Sequence, residues 1–496
     1  MILLIGALVI PAVTGTALLV SGRISSPQSE GNANSISLVA SVVTAALVIA
    51  TVIARPVLNQ SWLPSLGVRL HFAVDGISAP LLLLTAALSV AVVVHARSRP
   101  SHGGSPASFY GCLQLVELGA LATFYARDAV IFYVAFEIVL VPMWVLIARY
   151  GDSHDLAARR DASGRFVLYT VLGSTLMLIG ILALVQASGT ADLDALAAAH
   201  GAGLARSTQI IIAALLLVGM GIKVPVWPLH TWLPPAHTIA PTAGSVMLAA
   251  VLLKMGTYGI VKLAIAPLPL GFGALAPAFA VVGVIGIVWG GLACLVENDL
   301  KRLIAYSSVA HMGFVVLGLS SGTTVGLQAA LFANIAHGVV SALLFFLVGG
   351  LKERWGSADL ATARAALREI SPRLGIALVV GFAASLGLPG LIGFWGEFLA
   401  MYSAWNPAPD RPQGLMRFLV VIAVLGAGVA AAYSLRVLKL IWSGDRTAPA
   451  HQDASGAEWS VLAVLMSAVL VLGIAPGLLL HSTIKDAAAI TMELPR

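Results

Sequence analysis

Apolar residues run along this chain in long, nearly unbroken stretches, separated by short polar or glycine- and proline-bearing segments. A run of about twenty such residues spans the hydrocarbon core of a bilayer as a helix. The pattern predicts fourteen helices. They fall near 2–20, 35–54, 76–96, 108–126, 128–149, 164–187, 208–226, 241–265, 272–297, 301–320, 326–350, 374–403, 414–441 and 458–480. The runs are continuous rather than alternating, which excludes a transmembrane β-barrel. An even number of crossings places both ends of the chain on one side.

Composition agrees. Of 496 residues, 59% are hydrophobic and 10% charged, against about 25% charged in soluble domains. The expected class is an all-α polytopic membrane protein. A formal charge of +6 does not point to nucleic acid, because no basic cluster is interleaved with aromatics. The basic residues lie mostly in short loops, where they set topology. With the N-terminus outside, inner loops hold Arg23, Arg97, Arg99, Arg149, Arg159, Arg160, Arg165, Lys301, Arg302, Lys352, Arg354, Arg364, Arg368, Arg373, Arg436, Lys439 and Arg446. Outer segments then hold Arg55, Arg69, Arg127, Arg206, Lys262, Arg411, Arg417, Lys485 and Arg496. The inner excess favours both termini outside. The N-terminal run has no basic n-region and reads as a retained first helix. Cys112 and Cys294 form no paired-thiol motif, which argues against iron–sulfur ligation. No glycine-rich nucleotide motif or P-loop is present. The longest polar insertions, 150–163 and 350–373, are inner, and 191–207 reads as a short interfacial helix outside.

Two basic residues, Lys223 and Lys254, belong to no loop. A charge at the centre of a membrane helix costs about 2.5–3.5 kcal/mol on insertion scales, so such residues usually pair, face a bundle interior or line an ion path. Lys254 lies near the middle of its predicted helix, too far from either end to snorkel. Lys223 precedes Pro225 and Pro228, which break a helix. Broken helices recur at transporter sites. A snorkelling interfacial lysine is the alternative for Lys223. Glu137 sits about 14 Å along its helix at ~1.5 Å per residue, either as a proton-binding carboxylate or as a structural one. Glu397 follows Pro389 and Gly390, a second break. An interrupted segment with an ionisable residue in each half suggests an internal repeat. His311 and His337 have polar neighbours (Ser307, Ser308, Asn334, Ser341) and are relay candidates or packing residues. His230 and His237 flank the end of the first break, guarding proton uptake or capping a loop. Glu117 is an equally balanced secondary candidate. The histidines lack the paired spacing that haem ligation needs.

These residues carry a resemblance. The stretch GIKVPVWPLHTWLPPAHTIAPTAGSVMLAAVLLKMGTYG (221–259) closely resembles the signature of the antiporter-like subunits of respiratory complex I, in the branch of subunit M and mitochondrial subunit 4. EIVLVPMWVLI (137–147), ENDLKRLIAYSSVAHMGFVVLG (297–318) and ASLGLPGLIGFWGEF (384–398) resemble the same branch. The resemblance covers about 105–440, and no motif position departs from it. It implies fourteen helices with two inverted five-helix repeats, each containing a broken helix. The implied divisions are 1–104 (helices 1–3), 105–268 and 269–442 (the repeats), and 443–496 (the last helix and tail). It implies a polar axis across the membrane through Glu137, Lys223, Lys254, His311, His337 and Glu397. Sister subunits carry lysine where this chain has Glu397.

The implied function is proton translocation in an NADH–quinone oxidoreductase of a bacterial inner membrane. No cofactor is expected on this chain; FMN, iron–sulfur clusters and quinone belong to partner subunits. Expected partners are the other membrane subunits, including neighbouring antiporter-like ones, and the bilayer. The rivals are a subunit of a sodium/proton antiporter or of a membrane-bound hydrogenase, and, in another class, a scaffold without an ion path.

Overall fold

The structure is a computed structural model that describes residues 1–24, 30–64, 67–98, 103–360, 366–444 and 452–491. Arg99, Arg364, Arg446 and Arg496 lie outside the described residues, as does the side chain of Arg23. The order is α1 (Ile2–Ile24), α2 (Glu30–Ala54), β1 (Leu58–Leu63), β2 (Val68–Phe72), α3 (Ser78–Ser98), α4 (Pro106–Tyr125), α5 (Ala129–Ile138), α6 (Leu140–Tyr150), α7 (Leu156–Ser188), α8 (Leu193–Ala199), α9 (Arg206–Lys223) and α10 (Leu233–Ile239). It continues with α11 (Thr242–Met247), α12 (Leu253–Gly259), α13 (Pro269–Val296), α14 (Leu300–Ser320), α15 (Thr324–Trp355), α16 (Leu367–Ile370), α17 (Pro372–Ser385), α18 (Ile392–Trp405), α19 (Gln413–Val437), α20 (Gly456–Ile474) and α21 (Gly477–Thr491).

Among the described residues, 13 helices are long and apolar enough to cross a membrane. The fourteenth expected crossing, 374–403, consists of two half-length helices, α17 and α18. Their separation follows from Pro389 and from Gly387 and Gly390, which have φ of 74° and 89°, a region open to glycine. An antiparallel hairpin, β1–β2, lies between α2 and α3 in an otherwise helical fold. Two expectations need correction. The run 458–480 is not one helix: it ends at Ile474 and resumes at Gly477, because Pro476 cannot continue the ladder. Arg127, Lys262, Lys301 and Arg411, assigned to loops by topology, are all buried, at 2%, 8%, 4% and 7% exposure.

The chain forms two compact units. The first contains Met1–Val224 with Ile239–Leu275, and the second contains Pro225–Thr238 with Ala276–Ala487. Within the first, Thr242–Ile265 is its buried centre and α7 its apolar exterior. Along α7, Leu168, Leu172, Ile179 and Leu182 are exposed, as a lipid-facing surface requires. Within the second, α15 is the buried centre, and Phe314, Leu317, Met416 and Leu419 form part of the surrounding core.

Each unit contains, within itself, a local joint of the same kind. Asp128 caps α5 by accepting from the Val130 and Ile131 amides. Its neighbours bridge to Ala191–Asp192–Leu193, with Ala129 N donating to Ala191 O and Leu193 N to Arg127 O, both 2.8 Å. Asp299 caps α14 through the Arg302 amide. There Leu300 N donates to Ala358 O at 2.9 Å and Leu360 N to Asn298 O at 2.8 Å. The sequence Ala-Asp-Leu occurs at 191–193 and again at 358–360. Each unit therefore anchors a helix that carries a candidate residue, Glu137 or His311, in the same way.

Candidate functional site

In the first unit the helix bearing Glu137 is interrupted one residue later. Pro142 has no N–H for the Ile138 carbonyl, and α5 gives way to α6 at Val139. Glu137 is half-buried beside Ser174 of α7, and its charge and that of Lys223 act on one another. Lys223 is the last residue of α9, where Pro225 stops the helix. It is 2% exposed. Its ammonium lies 5.0 Å above the Phe136 ring and has no hydrogen-bonding partner among the described residues. A buried ammonium so weakly held is suited to move.

Lys254 is 1% exposed, and its ammonium donates to Ala249 O at 2.6 Å. That carbonyl belongs to a π-helical stretch, Leu248–Leu252, and a second, Ile260–Ile265, follows α12. Such bulges often mark functional sites. Gly256 brings this helix against α9: a Cβ there would stand 3.1 Å from Lys223 Cβ and 2.8 Å from Val224 Cγ2. Glu117 is wholly buried. It accepts from Ser41 Oγ at 3.2 Å, with Ser89 and Gln114 around it.

In the second unit the sequence candidates converge. His311 Nδ1 lies 2.9 Å from Glu397 Oε1, and its Nε2 lies 3.1 Å from Ser385 Oγ. The His337 ring is 5.7 Å from that of His311. These groups, with Ser307 and Ser341, line a cavity of about 30 Å³, room for a water or two. Gly387 permits the close approach of the broken segment, since a Cβ there would lie 3.0 Å from Glu397 Oε2. The imidazole thus has a hydroxyl on one nitrogen and a carboxylate on the other. An imidazole so placed has the geometry to take a proton on one nitrogen and release one from the other. His237, fully buried, stacks on Phe345 at 4.5 Å. His230 is also buried, and its carbonyl accepts from the Leu233 amide.

Several residues of these sites were not anticipated. Ser385 directly precedes the second break, a position that marked it. Tyr433 of α19 is wholly buried and near Ser307 and Ser385; nothing in its helix signals this. Asp75 pairs with both Arg127, at 2.9 Å, and Lys262. Burial pushes the Asp75 carboxyl up, but Lys262 and Arg127 more than offset this and hold it well below the ordinary carboxylate range.

Residues 126–426 match the family described as NADH:quinone oxidoreductase/Mrp antiporter, TM. The chain belongs to this family. It is 34% identical to an NAD(P)H-quinone oxidoreductase chain 4 of Trichormus variabilis, over 88% of this chain and 81% of the relative. It is 31% identical to NADH-quinone oxidoreductase subunit M of Rhodobacter capsulatus, over 95% and 92%. A chain of respiratory complex I from Thermus thermophilus superposes with a TM-score of 0.87 at 28% identity, covering all of both chains. A chain of the Mrp complex from Dietzia has the same fold, with a TM-score of 0.84 at 24% identity over 98% of this chain and 52% of that one. The family and the apolar helices together make this a multi-pass membrane protein.

Proposed function

We propose that this chain is the subunit M-like, proton-translocating membrane subunit of an NADH–quinone oxidoreductase, and that protons move through its buried ionisable residues while redox chemistry occurs in other subunits. The observation that carries the proposal is the retention of Lys223 and Lys254 at 2% and 1% exposure within apolar helices, at an energetic cost that only an ion path makes useful. The names of relatives about one third identical over most of the chain support it.

In this reading Lys223 accepts a proton near Glu137 from the inner side, with His230 and His237 at the uptake end. Lys254 passes it on, and His311, His337 and Glu397 deliver it outside. The carboxylate–imidazole–hydroxyl arrangement of Glu397, His311 and Ser385 suits the last transfer, because each group offers both a donor and an acceptor state. FMN, iron–sulfur clusters and quinone are assigned to partner subunits, among them neighbouring antiporter-like ones. The location is a bacterial inner membrane, with both termini outside.

The test is NADH-driven proton uptake by membranes carrying Lys223→Ala, Lys254→Ala or Glu397→Ala, with assembly checked by purification of the complex. Each is expected to lose most uptake. Undiminished uptake in all three would overturn the proposal. The rival assignment to a sodium/proton antiporter predicts co-purification with no NADH-oxidising partner.

A further inference from the structure

Lys254, Tyr258 and Lys262 recur at every fourth position, so they follow one stripe of the helix from its middle to its end. The Lys262 ammonium lies 5.9 Å from the Tyr258 ring, which shows that the stripe persists through the second π-helical stretch. A polar ladder of this kind invites protons from Lys254 to the surface that carries the β1–β2 hairpin. Its construction opposes that passage.

The Tyr258 hydroxyl donates to Phe124 O at 3.2 Å and accepts from Arg127 Nη1 at 3.3 Å, so both of its functions are engaged. Its ring is walled by Phe124, edge-on at 5.5 Å, and by Phe132, stacked at 6.2 Å. Gly259 is packed so tightly that a Cβ would stand 2.9 Å from the Phe132 ring. The next group outward, Arg127, is 2% exposed. A guanidinium does not deprotonate in proteins, so it cannot relay. Arg127 and Lys262 share the single carboxylate of Asp75. Asp194, which also acts on Arg127 and Tyr258, stands at the solvent-exposed rim. Two cations on one carboxylate leave a net positive charge, which repels protons and other cations.

We propose that Tyr258, Arg127, Asp75 and Lys262 form a proton seal at the hairpin end of the first unit, preventing protons on Lys254 from escaping to that surface. The seal rests on the transport function proposed above. It makes these residues determinants of coupling rather than carriers of the proton.

The experiment uses the whole complex in inverted membrane vesicles. Two quantities are read: the rate of NADH oxidation, and the decay of an imposed pH gradient without NADH. Tyr258→Ser opens space for water and supplies a relaying hydroxyl. Lys262→Gln removes one positive charge at similar length. Both are expected to keep NADH oxidation while the gradient decays severalfold faster. Tyr258→Phe retains the ring wall and is expected to stay tight. Adding Lys254→Ala to Tyr258→Ser is expected to restore slow decay, since the leak starts at Lys254. Parental decay rates in assembled Tyr258→Ser and Lys262→Gln vesicles would overturn the seal, and so would a leak that survives Lys254→Ala. If Tyr258→Ser does not assemble, Lys262→Gln decides by itself. A failure of the transport proposal looks different: Lys254→Ala alone would then leave NADH-driven uptake intact, whatever the decay rates.

Discussion

The two units hold buried charge in opposite ways. The first keeps ammonium groups: Lys223, over the Phe136 ring and within reach of the Glu137 charge, and Lys254, donating to the Ala249 carbonyl. The second keeps a carboxylate, Glu397, hydrogen-bonded to His311 within a cavity large enough for water. Both are built on the same Asp-capped joint to an Ala-Asp-Leu segment. What differs is what the neighbouring helices supply: aromatic faces and a tight glycine contact in the first, hydroxyls and imidazoles in the second. A loosely held ammonium changes partner readily, whereas a hydrogen-bonded chain passes a proton with its heavy atoms in place.

The comparison breaks most visibly through the central lysines. Lys254→Met and Lys223→Met are expected to lower NADH-driven proton uptake by about tenfold or more, equivalent to at least ~1.4 kcal/mol in the transfer barrier. Uptake measured by a pH-sensitive dye would contradict the contrast if either variant matched the parent. Next comes the Asp75 triad. Asp75→Asn leaves two cations without their carboxylate, and losing one partner of a buried pair costs about 3–5 kcal/mol; thermal unfolding of the purified complex reads this out. The pH dependence has a definite sign. The folded Asp75 carboxyl titrates below its ordinary value, so its stabilisation is complete above about pH 4. It is lost only as pH falls through the lower folded value. Unfolding temperatures of parent and Asp75→Asn should therefore differ at neutral pH and converge only in strong acid.

Within the second unit, Glu397→Gln preserves a hydrogen bond to His311 but removes the charge. It should keep the fold and lose uptake, while Ser385→Ala should slow uptake less, because water can take the place of the hydroxyl. Equal losses in the two would show that the imidazole needs both neighbours alike. The smallest effect is expected at the shared joint. Asp299→Ala removes a helix cap worth about 1 kcal/mol, and Asp128→Ala the same, seen as small and matching decreases in unfolding temperature. Unequal decreases would mean that the two joints are alike in geometry only.

Much of this was legible in the chain. Helix number followed from run length, because bilayer thickness sets it. The second broken helix followed from Pro389 between two glycines, and the isolated lysines stood out because nothing else in an apolar run is so costly. The β1–β2 hairpin was not legible, since its strands are short, β1 is almost wholly exposed and burial along β2 does not alternate. The interruption beside Glu137 had a signal in Pro142 that the surrounding apolar run concealed. The π-helical stretches around Lys254 had no signal, because hydrogen-bond register within a helix depends on its neighbours.

By itself, then, the order of residues determined that the chain crosses a membrane many times, where two of its helices break, and which ionisable side chains lie at depth. These properties depend on local terms: length, proline and glycine geometry, and the cost of a charge in hydrocarbon. Tertiary structure decided which of those side chains meet. Glu397 found His311 across 86 residues, and Asp75 found Lys262 across 187. Loop charges such as Arg127 and Lys262 proved to be interior because a distant aspartate compensates them. Pairings of that kind depend on how helices pack, and no window along the chain contains both partners.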